Sequence, residues 1–269
     1  MFRAILVLVL LGILPLAGVG QDAALLSGLL ESYPAANSQE LTNRLDGFIA
    51  SLHNKKSKHS DEDFLKFLFK ESHRKIFKNY KPYTQFAEIF EKGNYDCLSA
   101  TSFLSLVLDE FNFDYKIIET NYHIFISVET KNGTVLLEST DRFAGVVTNT
   151  REINNRISRY RSNDLVAQSE VGKIYYQYNV NLYQIVEPNQ LPGLLYFNQA
   201  VIAFNKKHFA ECAEKLKQAS KIYESPRTAE LAVLLIKSVV ESDLSEEAKM
   251  DLIKPFARYI STNSVIASR

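Results

Sequence analysis

Apolar positions recur at helical spacing through the first third of the chain, switch to two-residue alternation in the middle, and return to helical spacing towards the end. Helices are expected over residues 22–33, 38–53 and 60–79. In the third, Phe64, Leu65, Leu68, Phe69, Ile76 and Phe77 fall on one face, and Ser60 with Asp63 three residues on is a cap-like start. Pro82 breaks the pattern, a short helix is expected over 83–91, and Gly93 marks its end. From 97 to 111, Leu98, Phe103, Leu104, Val107, Leu108 and Phe111 make an apolar face wide enough for a buried helix.

The period then changes. Residues 115–120 and 122–128 are rich in β-branched and aromatic side chains, and Lys131-Asn132-Gly133-Thr134 is a hairpin turn signal leading into Val135-Leu136-Leu137. The fold class expected is therefore α+β: a helix bearing Cys97 packed on an antiparallel sheet, with helices before and after. Residues 141–163 are polar and include Gly145, which suggests a long loop near the site with a helix somewhere within 151–162. From about Pro188 the helical spacing returns. Tyr196, Ala200, Ala203, Phe209, Cys212, Leu216 and Ala219, with Pro226 shortly after, resemble one tetratricopeptide repeat. A solitary repeat cannot bury its own faces, so this unit should pack on helices at 228–242 and 245–259 or on the upstream part. An ordinary helical hairpin crossing at Ala explains the same residues. The division expected is 1–20 export signal, 21–79 N-terminal helices, 80–187 central helix-and-sheet domain and 188–269 helical region.

Residues 1–20 carry one early charge at Arg3, an apolar run to Leu16, and small residues at Gly18 and Gly20. The run is shorter than the roughly 20 residues of a spanning helix, and reads as a secretory signal cleaved before Gln21. The expected location is periplasmic or extracellular, with no membrane span after cleavage. With 31 basic and 31 acidic residues, no net field favours nucleic acid or an anionic membrane. The basic stretch 54–59 reads as a solvated loop between helices. Two cysteines far apart do not make a disulfide scaffold.

Cys97 sits at the start of a helix, where unpaired N–H groups and the helix dipole favour a thiolate. Gly93 and Asn94 precede it and the small Ser99 and Ala100 follow, leaving room for a substrate. His123 opens a strand in which Ile124, Ile126 and Val128 alternate, so His123 shares the opposite face with Phe125 and Ser127, the face expected to look towards the Cys helix. His53, His59, His73 and His208 have no matching nucleophile. A hairpin near Asn132-Gly133 brings the next strand back beside His123, leaving Glu138 and Asp141 as the carboxylates able to orient the imidazole. A turn centred on Asn132-Gly133 favours Asp141, and a turn placed earlier favours Glu138. Cys212, between Phe209 and Leu216, reads as core packing. No His/Cys/carboxylate cluster has metal-ligand spacing and no glycine-rich phosphate loop occurs, so neither metal nor cofactor is expected.

Together, the stretch Gly93-Asn94-Tyr95-Asp96-Cys97 with its helix, the strand beginning His123-Ile124-Phe125, and Val135-Leu136-Leu137-Glu138-Ser139-Thr140 resemble the core of the transglutaminase-like superfamily. Its papain-type site uses Cys, His and Asp in that chain order. The resemblance spans residues 80–141 and implies Cys97, His123 and Glu138 as the site, with Glu where the family has Asp. No Trp is present for the aromatic often found beside the family's His, which leaves Tyr122 and Phe125 to serve. It implies an exported cysteine hydrolase, a peptidase or amidase, in which the Cys97 N–H and a side chain such as Asn94 or Gln85 hold the oxyanion. The alternative is an inactive member whose helical region holds a partner protein in the cell envelope.

Overall fold

A computed structural model describes residues 19–33, 37–121, 123–161 and 182–259. Residues 1–18 of the expected export signal, and Tyr122, lie outside the described residues. Val19 and Gly20 begin the first helix.

Helices α1 (Val19–Ser32), α2 (Ser38–Lys56) and α3 (Asp61–Lys75) open the fold. Ser60 caps α3 by accepting the Asp63 N–H at 3.2 Å. Asp61, Glu62 and Asp63 fill its first turn and His73, Arg74 and Lys75 its last, both signs suited to the helix dipole. The helix ends four residues before the expected 79, because Ile76 and Phe77 both donate to the Ser72 carbonyl. Asn79 then enters a short parallel pair, β1 (Asn79–Tyr80) with β2 (Asn94–Tyr95), around α4 (Phe86–Glu91). Likewise Asn54, Lys55 and Lys56 are helix, not loop: the lysines sit in the last turn of α2, where the dipole favours cations.

Next comes α5 (Cys97–Glu110), buried from Leu98 to Leu108. Strands β3 (Asp114–Thr120), β4 (Ile124–Thr130), β5 (Gly133–Leu137), β6 (Val146–Val147) and β7 (Tyr183–Val186) form one antiparallel sheet in the order β6-β5-β4-β3-β7. The architecture is α+β, as expected. Thr130 pairs with Gly133, so the β4–β5 turn is Lys131-Asn132, one residue earlier than the Asn-Gly signal suggested. Gly133 supplies the positive φ of 121° at its exit.

The two faces of the sheet meet different layers. Ile117, Ile124, Ile126, Val128, Val135, Leu137 and Val186 join the main core with α5 and the N-terminal helices. Ile118, Phe125, Leu136 and Val147 pack instead on Ile153, Ile157 and Tyr160 of α6 (Thr150–Arg161). This corrects the expectation for His123: the face it shares with Phe125 is covered by α6, while α5 lies against the other.

The C-terminal region comprises α7 (Leu191–Asn205), α8 (Phe209–Ile222), α9 (Pro226–Val240) and α10 (Glu246–Ile253). Ala200, Ala203, Cys212, Leu216 and Ala219 form the α7–α8 seam and share a cluster with Leu231, Leu235 and Val239 of α9. The other side of α7 joins the main core through Leu191, Leu194 and Leu195, beside Leu25 and Leu29 of α1. Residues from all three expected segments thus share one core. Buried Glu119, at the end of β3, strengthens that junction: it accepts from Arg227 Nη1 (2.8 Å), Tyr223 Oη (2.6 Å) and Gln184 Nε2 (3.0 Å). Among the described residues no helix is long and apolar enough to cross a membrane.

Candidate active site

Cys97 is the first residue of α5, and the turn before it is built to keep it there. Asp96 is the N-cap: its Oδ1 accepts the Ser99 N–H at 2.8 Å, and the Asp96 N–H donates to Ser99 Oγ at 2.9 Å. Asp96 Oδ2 accepts the Thr84 N–H at 3.1 Å. Tyr83 sits in the left-handed region at φ 60°, which turns its own N–H and that of Thr84 onto the same carboxylate. Burial pushes Asp96 up to about 6, against the pull of the Ser99, Thr84 and Tyr83 donors. The β1–β2 pair carries the chain into this turn, with the Lys81 N–H bonded to the Tyr95 carbonyl at 2.8 Å.

His123 closes the β3–β4 turn, its carbonyl accepting the Thr120 N–H at 2.8 Å. It therefore stands at the open end of the sheet, where a side chain can be shared by both layers. Its ring lies 6.2 Å from Phe125 and 4.8 Å from Tyr160, and it borders the same cavity as Cys97, which favours its charged form. Nε2 bonds Oε2 of Glu138, which directly follows β5. Burial alone would lower the His123 pKa, but the Glu138 charge, reinforced by Cys97 and by the hydrogen bond to Glu138, raises it above the usual value. Burial would raise Glu138, yet the imidazolium and the Thr140 hydrogen bonds hold it below the usual range. The pair is thus charged, with Nε2–H donating to the carboxylate.

Glu138 has four donors. Thr140 gives Oε1 its N–H (3.0 Å) and hydroxyl (2.6 Å), while Tyr160 shares Oε2 with His123, donating at 2.8 Å. Asp141, the other carboxylate considered, does not face His123. It accepts from Arg156 Nη1 at 3.2 Å and the Ala144 N–H at 2.9 Å. The loop after Glu138 is pinned by the Glu138 N–H to the Gly145 carbonyl at 2.7 Å. A Cβ on Gly145 would lie 2.2 Å from the Glu138 carbonyl oxygen and 2.5 Å from Phe69 Cζ, so only glycine fits.

Cys97, His123 and Glu138 open on a cavity of about 600 Å³. Tyr80, Tyr83, Leu98 and Ile124 line it from the central part, Arg156, Arg159 and Tyr160 from α6, and Leu194, Asn198 and Arg227 from the C-terminal helices. Neither side chain expected to help at an oxyanion borders it. Gln85 is committed elsewhere, its Oε1 accepting from Gln199 Nε2 at 2.8 Å and its Nε2 donating to the Tyr83 carbonyl at 3.3 Å. Asn94 is on β2, away from the cavity lining. Cys212 is buried, and burial, with Glu211 nearby, pushes its thiol up to about 12, the state of an inert core cysteine.

Tyr160 and Thr140 were not singled out from the sequence. The signal for Tyr160 was an apolar stripe at 153, 157 and 160 in a polar segment, a narrow helical face pointing at the sheet. No family model, curated protein or solved structure matches this chain.

Proposed function

We propose that this protein is an exported cysteine hydrolase of transglutaminase-like type, a peptidase or amidase acting through an acyl-enzyme. The observation that carries the reading is the array Glu138–His123–Cys97, with the thiol at a helix N-terminus and facing a substrate-sized cavity. Chain order and the placement of Cys on a helix and His and Glu at strand ends support the papain-like core.

In this mechanism the Cys97 thiolate attacks an amide carbonyl carbon, forming the C–S bond while the carbonyl π electrons move to oxygen. The Cys97 N–H, one of the unpaired donors of the first helical turn, faces the oxyanion. His123 gives its proton to the leaving amine as the C–N bond breaks. Water then attacks the thioester, giving its proton to His123, and the C–S bond breaks to return the thiolate. Glu138 keeps the imidazole oriented and compensates its charge. The C-terminal helices wall the cavity through Leu194, Asn198 and Arg227, so in this reading they shape the substrate site.

The test is iodoacetamide alkylation of Cys97 across pH, in the wild type and in His123→Ala, with Cys212 as internal control. Fast labelling at Cys97 that falls at least tenfold in His123→Ala, as expected for loss of a general base, with Cys212 unlabelled, supports the reading. Slow labelling of Cys97 that is indifferent to His123 overturns it and leaves a binding module built on this fold.

A further inference from the structure

Glu138 already has a donor on each oxygen without Tyr160: Thr140 on Oε1 and His123 on Oε2. Tyr160 nevertheless aims its hydroxyl at the oxygen His123 uses, at 2.8 Å, while its ring lies 4.8 Å from the imidazole and 5.2 Å from Phe125. The ring packing needs only an aromatic side chain. The hydroxyl serves the carboxylate, and Tyr160 borders the same cavity as Cys97.

We propose that Tyr160 is a positioning residue of the site: its hydroxyl fixes the Glu138 carboxylate and draws charge from Oε2, so that the His123 imidazolium is oriented without being held too tightly to release its proton. The inference rests on the cysteine-hydrolase reading. Two donors on one carboxylate oxygen divide its electron density, so removing one strengthens the bond to the other. The Tyr160 phenol is suited to this, since burial and the Glu138 charge raise its pKa and keep it protonated.

The experiment compares Tyr160→Phe with the wild type by following the His123 ring signals in an NMR pH titration and, in parallel, Cys97 alkylation by iodoacetamide. Tyr160→Phe keeps the ring against Phe125 and should fold normally. The expected result is an upward move of the His123 midpoint by about half to one pH unit, a fraction of the effect of one hydrogen bond to a charged group. The alkaline step of the alkylation profile moves up with it. Phe125→Leu, which loosens the same packing without touching the hydroxyl, leaves the midpoint in place. An unmoved midpoint in Tyr160→Phe overturns the inference whether or not Cys97 reacts. A moved midpoint with an unreactive wild-type Cys97 supports the coupling of Tyr160 to His123 and removes the hydrolase reading alone.

Discussion

His123 and Glu138 project from the same face of the sheet, the one covered by α6, and Cys97 meets His123 from the opposite layer around the open end of β4. Period-two geometry puts residues 123, 125, 136 and 138 on one side, and only at the end of the strands can such a residue also reach α5. The site is therefore held by three separate devices: the Asp96 cap for Cys97, the β3–β4 turn for His123, and the loop pinned at Gly145 for Glu138. Each can be broken on its own.

Replacing Glu138 by Gln keeps the shape and removes the charge. Oε1 can still accept from Thr140, but the main charge that holds His123 as imidazolium is gone and only Cys97 still raises it, so its titration should fall from its raised value towards 6.5. With an amide substrate, kcat/KM should drop by about 10²–10⁴-fold, the range for disabling a general acid–base. Asp141→Asn should cost far less, because Asp141 faces Arg156. Equal losses in the two variants would show that the carboxylates had been assigned wrongly.

The pair also sets a pH window. Glu138 is held below its ordinary 4.5, so its stabilising contribution is present above that value and lost as pH falls through the lower, folded value. His123 is raised above 6.5, so its contribution is present below 6.5 and lost as pH rises through the higher, folded value. Between 4.5 and 6.5 both are in full force. The difference in stability between wild type and His123→Ala, measured by denaturant unfolding, should be greatest there and shrink on both sides. A difference that grows steadily into alkali would contradict the charge assignment.

His73 on α3 behaves in the opposite sense. It is buried among Phe69, Phe77 and Tyr95, with neither ring nitrogen hydrogen-bonded among the described residues. Burial, helped by the Arg142 charge, lowers it from 6.5 to about 4. Its neutral form favours folding above pH 6.5, and that contribution is lost as pH falls through 4, up to about 3 kcal/mol for a shift of this size. His73→Phe should flatten the acid limb of the stability curve while leaving stability near pH 7 equal or higher. An acid limb unchanged in the variant would place the sensitive group elsewhere.

Gly145→Ala drives a methyl into the Glu138 and Asp141 carbonyl oxygens and Phe69. Overpacking of this kind costs about 1–3 kcal/mol, and relief requires moving the loop that carries Glu138. Cys97 alkylation should therefore lose its dependence on His123 at temperatures where circular dichroism still reports a folded chain. Retention of the wild-type profile would mean that the loop yields without disturbing Glu138.

What could be read in advance follows from what periodicity encodes. The amphipathic α3, the buried α5 with its wide apolar face and the β4–β5 hairpin carry strong patterns and were legible within a few residues. Cys97, His123 and Glu138, singled out on the sequence, come together at one cavity. Alternation says which residues share a face but not which layer covers it, so His123 was assigned to the α5 side. The Asn132-Gly133 dipeptide marked the turn, yet the pairing placed Gly133 after it, which is what brings Glu138 rather than Asp141 to the imidazole. Helix α6 falls where a helix was expected within 151–162, but it buries only a narrow stripe in a polar segment, so its packing on the sheet was not legible. The apparent division into three segments missed that Leu29, Leu108 and Leu195 meet in one core.

That shared core makes a last prediction about the C-terminal helices. Glu119 is buried at the end of β3, where Arg227, Tyr223 and Gln184 converge on it from α9, the end of α8 and β7. Glu119→Ala removes the carboxylate facing a largely buried guanidinium, a loss of about 3–5 kcal/mol when one partner of a buried pair is deleted. Because α7 also contributes Leu191, Leu194 and Leu195 to the main core, the loss should be felt by the whole molecule. Denaturant unfolding of Glu119→Ala, followed by both circular dichroism and tyrosine fluorescence, should give one coincident transition at lower denaturant than the wild type. Two separated transitions would mean that the helical region folds as its own unit, and its wall of the cavity, Leu194, Asn198 and Arg227, would then be free to move away from Cys97.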